Sequence, residues 1–180
     1  MTRTILTYKD YEALPADGRR YELHEGELSG TPAPSPRHQQ VTRNLAIALH
    51  EHVKGRGLGE VLFSPIDCIL SGISVVQPDI VYVETGRLAI ISSRGIEGPP
   101  TLVIEILSPS TVQIDRSVKF QLYARHGVPH YWIVDLEART IAAYRFAGGA
   151  YERAASMQGS APAFLPPFPD LSLVPASLWP

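Results

Sequence analysis

The sequence contains a single cysteine, Cys68, among its 180 residues. An intramolecular disulfide is therefore impossible, and a zinc site built from four cysteines is excluded. Uninterrupted apolar runs of about 18 residues, which a membrane-spanning helix needs, are also absent. The N-terminal stretch MTRTILTYKDYEALP meets charge and proline too early for a signal peptide. From these absences we expect a cytoplasmic protein without membrane segments.

Positive and negative charges are nearly balanced in the sequence. The 16 Lys and Arg residues face 18 Asp and Glu residues, and the formal net charge is −2. A nucleic-acid site would thus have to be a local positive groove on a nearly neutral surface. The length predicts one domain, residues 1–180, and the 44% of hydrophobic residues is typical of a globular protein.

Helix, strand and turn signals follow one another along the chain. Thr7 suits the cap of a short helix, and Ser35 followed by Pro36 suits the start of a long one. Apolar residues then recur at three- and four-residue steps until GRGLG ends this long helix. The other predicted elements are a hairpin at 19–30, loops at 31–38 and 94–100, strands at 60–70, 75–84, 101–108 and 129–137, a helix at 109–127 and a hairpin arm at 140–154.

This order of elements predicts a mixed α/β domain on one central sheet. The proline-rich tail should pack onto that domain through its large apolar residues, which are Phe164, Leu165, Phe168, Leu171, Leu173 and Trp179. His50 and His52 are two residues apart, so they do not share a helix face. We therefore expect both histidines to be solvated.

Two carboxylates stand alone in apolar strands. Asp79 lies in VQPDIVYV, and the strand period of two places it on one face with Val81 and Val83. Glu105 lies in LVIEILSPST and shares a face with two other apolar residues. Each carboxylate alone could cap a turn or pair with an arginine. If the two strands are neighbours, the carboxylates converge and call for a cation such as Mg²⁺, which prefers oxygen ligands.

A third group of polar residues lies in the helix that follows Glu105. Asp115, Lys119 and Tyr123 are four residues apart, so they form one row on the helix. The row could be a surface salt bridge beside a half-buried tyrosine. Alternatively, Lys119 points into the cleft of Asp79 and Glu105, where it could orient a water nucleophile or offset the charge on a phosphate.

These residues in this order resemble the PD-(D/E)xK nuclease signature, and more narrowly the Uma2 family of restriction-endonuclease-like proteins. The resemblance covers nearly the whole chain, and no single motif is specific by itself. The matching segments are YELHEGEL (21–28), SPRHQQV (35–41), QPDIVYV (77–83), LVIEILSPST (102–111), DRSVKFQLYARHGVPHYWIVD (115–135) and LSLVPASLW (171–179).

The resemblance implies a restriction-endonuclease-like core, in which helices flank a central mixed sheet, with an extra N-terminal β-hairpin region. It also implies that Asp79, Glu105 and the backbone carbonyl of Ile106 bind Mg²⁺, with Mn²⁺ as a substitute. The signature has its lysine two residues after the acid, but Leu107 stands there. The resemblance thus points to Lys119 as a displaced catalytic lysine.

Several upstream residues are weaker candidates. Glu22 could reach the metal cleft as an outer acid, or face solvent from its strand. His38 and Gln39 open the long helix, whose free amides favour anions, so both could contact a phosphate. A simple capping or surface role is the alternative for either residue.

The expected function is therefore Mg²⁺-dependent hydrolysis of DNA phosphodiester bonds by a homodimer, since two sites most simply cut two strands. Basic residues that could line a DNA groove are Arg37, Arg43, Arg94, Arg116 and Arg125. One alternative is a non-catalytic nucleic-acid-binding or regulatory protein on the same fold. Another is an oligomeric scaffold whose apolar tail docks on a partner chain.

Overall fold

The computed structural model describes residues 4–108 and 113–180. Within these ranges, no helix has the length and apolar composition that crossing a bilayer requires. The helices are α1 (Tyr8–Glu12), α2 (Pro36–Arg56), α3 (Phe120–Arg125) and α4 (Pro175–Leu178). A 3₁₀ segment spans Thr85–Ile90, and a π-helical segment, Ile114–Lys119, leads directly into α3.

The long helix α2 forms where its sequence signals place it. The hydroxyl of Ser35 accepts a hydrogen bond from the amide of His38 at 3.2 Å, and Pro36 opens the helix. Gly57 ends it in the left-handed conformation, with φ of 62°, which costs glycine little. The predicted apolar face, Val41, Leu45, Ala48, Leu49 and Val53, packs into the core.

Most of the described strands belong to two six-stranded sheets. The central sheet contains β3 (Gly59–Phe63), β6 (Ile80–Glu84), β9 (Leu102–Ile106), β10 (His130–Asp135), β11 (Thr140–Ala147) and β12 (Ala150–Met157), in the order β12-β11-β10-β9-β6-β3. Since β9 and β10 are parallel and the other described pairs are antiparallel, the sheet is mixed. The predicted α/β class is confirmed.

The second sheet extends the predicted N-terminal hairpin. It contains β1 (Arg20–His24), β2 (Glu27–Thr31), β4 (Cys68–Ser71), β5 (Ser74–Val76), β7 (Ile91–Ser92) and β8 (Gly95–Glu97), in the order β2-β1-β5-β4-β8-β7. A short pair, β13 (Ala163–Phe164) with β14 (Ser172–Leu173), lies apart from both sheets. The sequence indicated the hairpin but not that it belongs to a sheet of six strands.

Several of the predicted elements differ from the structure. The expected strands 60–70 and 75–84 are each divided between the two sheets, into β3 and β4 and into β5 and β6. Pro65 and Pro78 lie in the breaks, and proline has no N–H to donate to a strand ladder. The expected loop 94–100 contains the short strand β8, which pairs with β4. The two strands are far apart in the sequence, so the local residue pattern did not reveal this pairing.

The helix predicted for 109–127 is only partly the expected one. Residues 109–112 lie outside the described residues, and the next turns are π-helical rather than α-helical. A π-turn often occurs at a functional site, and the sequence pattern does not distinguish it from an α-turn. Gly127, with φ of 68°, follows the end of α3 as predicted.

The tail packs onto the central sheet largely as expected. Leu165, Phe168 and Leu173 are buried, and Leu171 and Trp179 are partly buried. Phe164 is 57% exposed, contrary to the prediction, since side chains alternate along a strand and its neighbour Ala163 is the one that packs against the core. The prediction for His52 is also wrong, since it is buried with its ring 5.6 Å from that of Phe168, whereas His50 is exposed.

The central sheet separates two apolar clusters and so fixes the direction of Glu105. Residues Ile104 and Ile106 pack with α2 on one face, whereas Val103 and Leu107 pack with Tyr123 of α3 on the other. Since side chains alternate along a strand, Glu105 points toward α3 and the π-helical segment. This is the face that the sequence predicted for Glu105.

Candidate active site

The strands that carry the two predicted acids are neighbours. β6 pairs with β9 in the register Ile80 opposite Ile104, so Asp79 and Glu105 follow one step beyond that pair. Both side chains are buried, and both line a cavity of about 640 Å³. The proline-rich loop 32–35, the start of α2 and the π-helical segment form part of the wall, and residues 106–108 and 135–137 also line it.

Asp79 is joined to the end of β9 and to α2. Its Oδ2 accepts a hydrogen bond from the amide of Ile106 at 2.8 Å and lies 3.2 Å from Nε2 of His38. The same Nε2 lies 3.1 Å from the carbonyl oxygen of Ile106. Burial lowers the pKa of His38, but Asp79 and that carbonyl outweigh it, so the pKa is raised. His38 thus holds Asp79 and Ile106 together, and a surface role for it is wrong.

Glu105 accepts hydrogen bonds from Lys119 and Tyr123, two residues of the row predicted on the following helix. Its Oε1 accepts a hydrogen bond from the hydroxyl of Tyr123 at 2.6 Å and one from Nζ of Lys119 at 3.0 Å. All three side chains are buried. The interpretation of the row as a surface salt bridge is therefore wrong, because the row faces the sheet and not the solvent.

Lys119 lies among carboxylates. Its Nζ is 2.9 Å from Oε1 of Glu22, 3.0 Å from Oε1 of Glu105 and 3.6 Å from Oδ1 of Asp115. Burial lowers the pKa of this lysine, but the carboxylates outweigh burial and raise the pKa well above its ordinary value. The ammonium therefore stays charged in the buried cluster.

Glu22 reaches this cluster from the second sheet. Besides Lys119, its Oε1 accepts a hydrogen bond from the amide of Gln77 at 2.7 Å, and its Oε2 lies 3.2 Å from Nε2 of His24. Burial raises the pKa of Glu22, but Lys119 and His24 outweigh burial and hold the pKa below its ordinary value. The interpretation of Glu22 as a solvent-facing residue is wrong, since it is 3% exposed.

The sequence reasoning missed His24 and Gln77. For His24 a signal exists, because a residue two positions after Glu22 on a strand shares its face. For Gln77 the contact is made by the backbone amide, which no side-chain pattern reveals. Both residues hold Glu22 in place.

Among the buried side chains of this site, acids outnumber bases. Four buried carboxylates, Glu22, Asp79, Glu105 and Asp115, face Lys119 and two imidazoles. Burial raises the pKa of Glu105; Lys119 opposes this shift, and the neighbouring carboxylates reinforce it, leaving the pKa well above the ordinary range. A protonated Glu105 relieves the excess, and so would a bound cation.

The donor atoms fit a hard cation. In the described residues, no group of three or more His, Cys, Asp or Glu side chains is arranged to hold a metal ion. The candidate ligands are instead two carboxylates, those of Asp79 and Glu105, and the carbonyl of Ile106. Mg²⁺ is commonly bound by one or two carboxylates together with water and substrate phosphate, so this smaller set suits it.

The remaining candidates are dispersed. Gln39 is exposed and lines a neighbouring cavity, where Arg43 and Asp79 also contribute to the wall. Arg37 lines the first cavity and donates to the carbonyl of Leu136. Arg116 forms an ion pair with Asp135, which lines the first cavity. The other two basic candidates form ion pairs away from it, Arg94 with Glu97 and Arg125 with Glu25.

The fold is restriction-endonuclease-like. It superposes on the crystal structure of "a putative nuclease belonging to DUF820" from Anabaena variabilis ATCC 29413 with a TM-score of 0.78, at 21% sequence identity, over 96% of this chain and 97% of that chain. No curated protein matches the sequence. Residues 8–176 match the profile of Uma2, described as "Putative restriction endonuclease". The chain belongs to the Uma2 family, as the sequence resemblance predicted.

Proposed function

We propose that this protein is a metal-dependent nuclease that hydrolyses phosphodiester bonds in DNA. The observation that carries the proposal is the contact between the buried side chains of Lys119 and Glu105 at a cavity that Asp79 also lines. Burying several acids around one lysine costs free energy of solvation, so such a cluster is unusual in a core whose only role is packing. The nuclease fold of the family gives the cluster its chemical interpretation.

Asp79, Glu105 and the carbonyl of Ile106 would hold Mg²⁺, or Mn²⁺ in its place. When bound, such an ion stabilises negative charge on a phosphate and lowers the pKa of water. His38 keeps Asp79 and the Ile106 carbonyl together through its contacts at 3.2 and 3.1 Å. The ligands would therefore be positioned before substrate binds, which limits the reorganisation needed for reaction.

Lys119 would act on the attacking water and on the phosphate oxygens. In the broader signature the lysine stands at the position of Leu107, but that side chain packs into the apolar cluster around Tyr123. The π-helical segment instead brings Lys119 to Glu105. Its ammonium can orient a water molecule and offset charge that develops on the non-bridging oxygens.

A second candidate function is non-catalytic nucleic-acid binding on the same fold. The observation that favours it is the number of carboxylates at Lys119, because Glu22 and Asp115 compete with substrate for the ammonium. The two functions differ in one respect. A binding protein would retain DNA without breaking it, whatever divalent ion is supplied.

The test is cleavage of supercoiled plasmid with Mg²⁺, Mn²⁺ or EDTA. The variants are Glu105→Gln and Lys119→Met, and the control is Lys54→Met, which removes an exposed lysine from α2. We expect metal-dependent cleavage by the wild type and the control, and loss of cleavage in both site variants. Equal cleavage by all four proteins would point to a contaminant and contradict the proposal. Retention of plasmid without cleavage would favour the second candidate.

A further inference from the structure

The neighbouring cavity that Gln39 and Arg43 line is a groove beside the candidate active site. Its volume is about 760 Å³, and it lies between one face of α2 and the end of β3. Asp79 lines both this groove and the cavity that contains Glu105 and Lys119. The backbone reinforces the junction, since the amide of Ser64 donates to the carbonyl of Asp79 at 3.0 Å. The groove therefore begins beside the candidate active site.

The groove combines an aromatic ring with groups that can hydrogen-bond to nucleobases. Phe63, the last residue of β3, is 61% exposed, and Ile47 on α2 is 50% exposed. Gln39, Arg43 and His50 lie on the same face of α2, at steps of four and seven residues, and are all exposed. These side chains offer a surface for stacking and groups that donate and accept hydrogen bonds. They offer little net positive charge, because Glu51 lines the groove as well as Arg43.

We propose that this groove binds an unpaired strand of nucleic acid next to the scissile phosphate, with a base stacked on Phe63. The proposal rests on the nuclease function proposed above and adds that the strand beside the cut is held with its bases unpaired, whether it comes from single-stranded DNA or from an opened duplex. Within a duplex the faces of the bases are covered by their neighbours, so an exposed ring stacks most readily on an unpaired base. Stacking of bases on aromatic rings is the usual way in which proteins bind single strands without sequence preference.

The charge of the protein weighs against binding that relies mainly on phosphates. Duplex binding draws most of its affinity from neutralised phosphates, and the protein has a net charge of −2. Two arginines beside the two cavities already have partners, Arg37 with Glu137 and Arg43 with the side chain of Asn44, which leaves Arg20 in the lining of the first cavity. Affinity for nucleic acid would then come from base contacts more than from the phosphate backbone.

The test measures binding separately from cleavage. A fluorescein-labelled single-stranded oligonucleotide and a blunt duplex of equal length are titrated with the full chain in EDTA, and fluorescence anisotropy is recorded. We expect the single strand to bind at least about tenfold more tightly than the duplex. Phe63→Ala and Phe63→Leu should each weaken binding of the single strand about tenfold, and Phe63→Trp should retain it.

Phe164→Ala is the matched control, since Phe164 is 57% exposed and lies in β13, outside the groove lining. Binding by this variant should equal that of the wild type. Equal affinity for single strand and duplex, or unchanged binding in Phe63→Ala and Phe63→Leu, would overturn the inference. So would a dimer that becomes monomeric in Phe63→Ala while single-strand binding per chain is unchanged, because the groove would then be a contact between two copies.

The inference and the nuclease proposal fail in different ways. If the wild type and Phe63→Ala cleave plasmid equally and bind single strand equally, the nuclease proposal stands and the groove inference is wrong. If Phe63 governs single-strand binding but no substrate is cleaved with any metal, the groove inference stands and the nuclease proposal is wrong.

Discussion

Nζ of Lys119 lies 3.0 Å from Oε1 of Glu105, although 14 positions separate the two residues in the sequence. The strand β9 carries the acid, and the helical segment that follows it carries the lysine. Their meeting depends on the π-helical turns, which set the rotation of that segment. Most of the expected effects of mutation follow from this pair and its neighbours.

Replacing Lys119 with methionine should lower both stability and activity. The change leaves Glu22, Glu105 and Asp115 buried without their ammonium, and breaking a buried ion pair in this way lowers the free energy of unfolding by about 3–5 kcal/mol. Plasmid cleavage should fall about 100-fold or more. Urea unfolding measures the stability, and Lys54→Met should match the wild type. A Lys119→Met variant as stable as the wild type would show that the lysine is not paired in solution.

Replacing Tyr123 with phenylalanine should cause a smaller loss of stability. The variant removes the 2.6 Å hydrogen bond to Glu105 and leaves a buried acceptor with one donor fewer, which costs about 1–3 kcal/mol. The matched control is Tyr21→Phe, because the hydroxyl of Tyr21 donates to Asp17 in an exposed position. Thermal unfolding should show a clear decrease for the first variant and a smaller one for the second. Equal decreases in the unfolding temperature of the two variants would contradict a buried hydrogen bond between Tyr123 and Glu105.

Magnesium should stabilise the folded protein through Asp79. A ligand that binds the native state raises stability by about 2.7 kcal/mol at a concentration of 100 times its Kd. We expect Mg²⁺ to raise the midpoint of thermal unfolding of the wild type and of Asp170→Asn, which changes an exposed acid. Asp79→Asn should show no such rise. A midpoint that Mg²⁺ leaves unchanged in the wild type would contradict a metal site.

Glu22 should make stability fall at low pH. Because Lys119 and His24 hold its folded pKa below the ordinary 4.5, the unfolded chain binds the proton more readily than the folded one. The contribution of Glu22 is therefore fully present above pH 4.5 and is lost as the pH falls toward the folded value. Urea unfolding at neutral and acidic pH measures the loss, and Glu22→Gln should show a weaker dependence on pH. An unchanged dependence would remove Glu22 as its source.

Cleavage of both DNA strands should require two copies of the chain. Each copy offers one cluster of Asp79, Glu105 and Lys119, and a symmetric pair of copies matches the symmetry of a duplex. We expect sedimentation equilibrium to give a mass about twice 19.7 kDa. A monomer that cuts both strands at once would contradict this expectation.

Much of the candidate site was predictable from local patterns. A lone acid in an apolar strand marks Glu105 because burying it needs a partner, and the four-residue spacing places Asp115, Lys119 and Tyr123 in one row. The start of α2 followed from Ser35 and Pro36. Each of these signals depends on neighbours within a few residues, which is the range over which strand and helix periods act.

The tertiary structure alone decided which of these elements meet. His38 contacts Asp79 across 41 positions, and Glu22 accepts from the amide of Gln77 across 55 positions. These contacts depend on the order of strands in two sheets, in which β1 pairs with β5 and β6 pairs with β9. Strand order is set by packing over the whole chain, whereas the residue pattern within one strand fixes only the face on which each side chain lies. The sequence therefore determined the acids and the lysine, and the fold determined that they share one cavity.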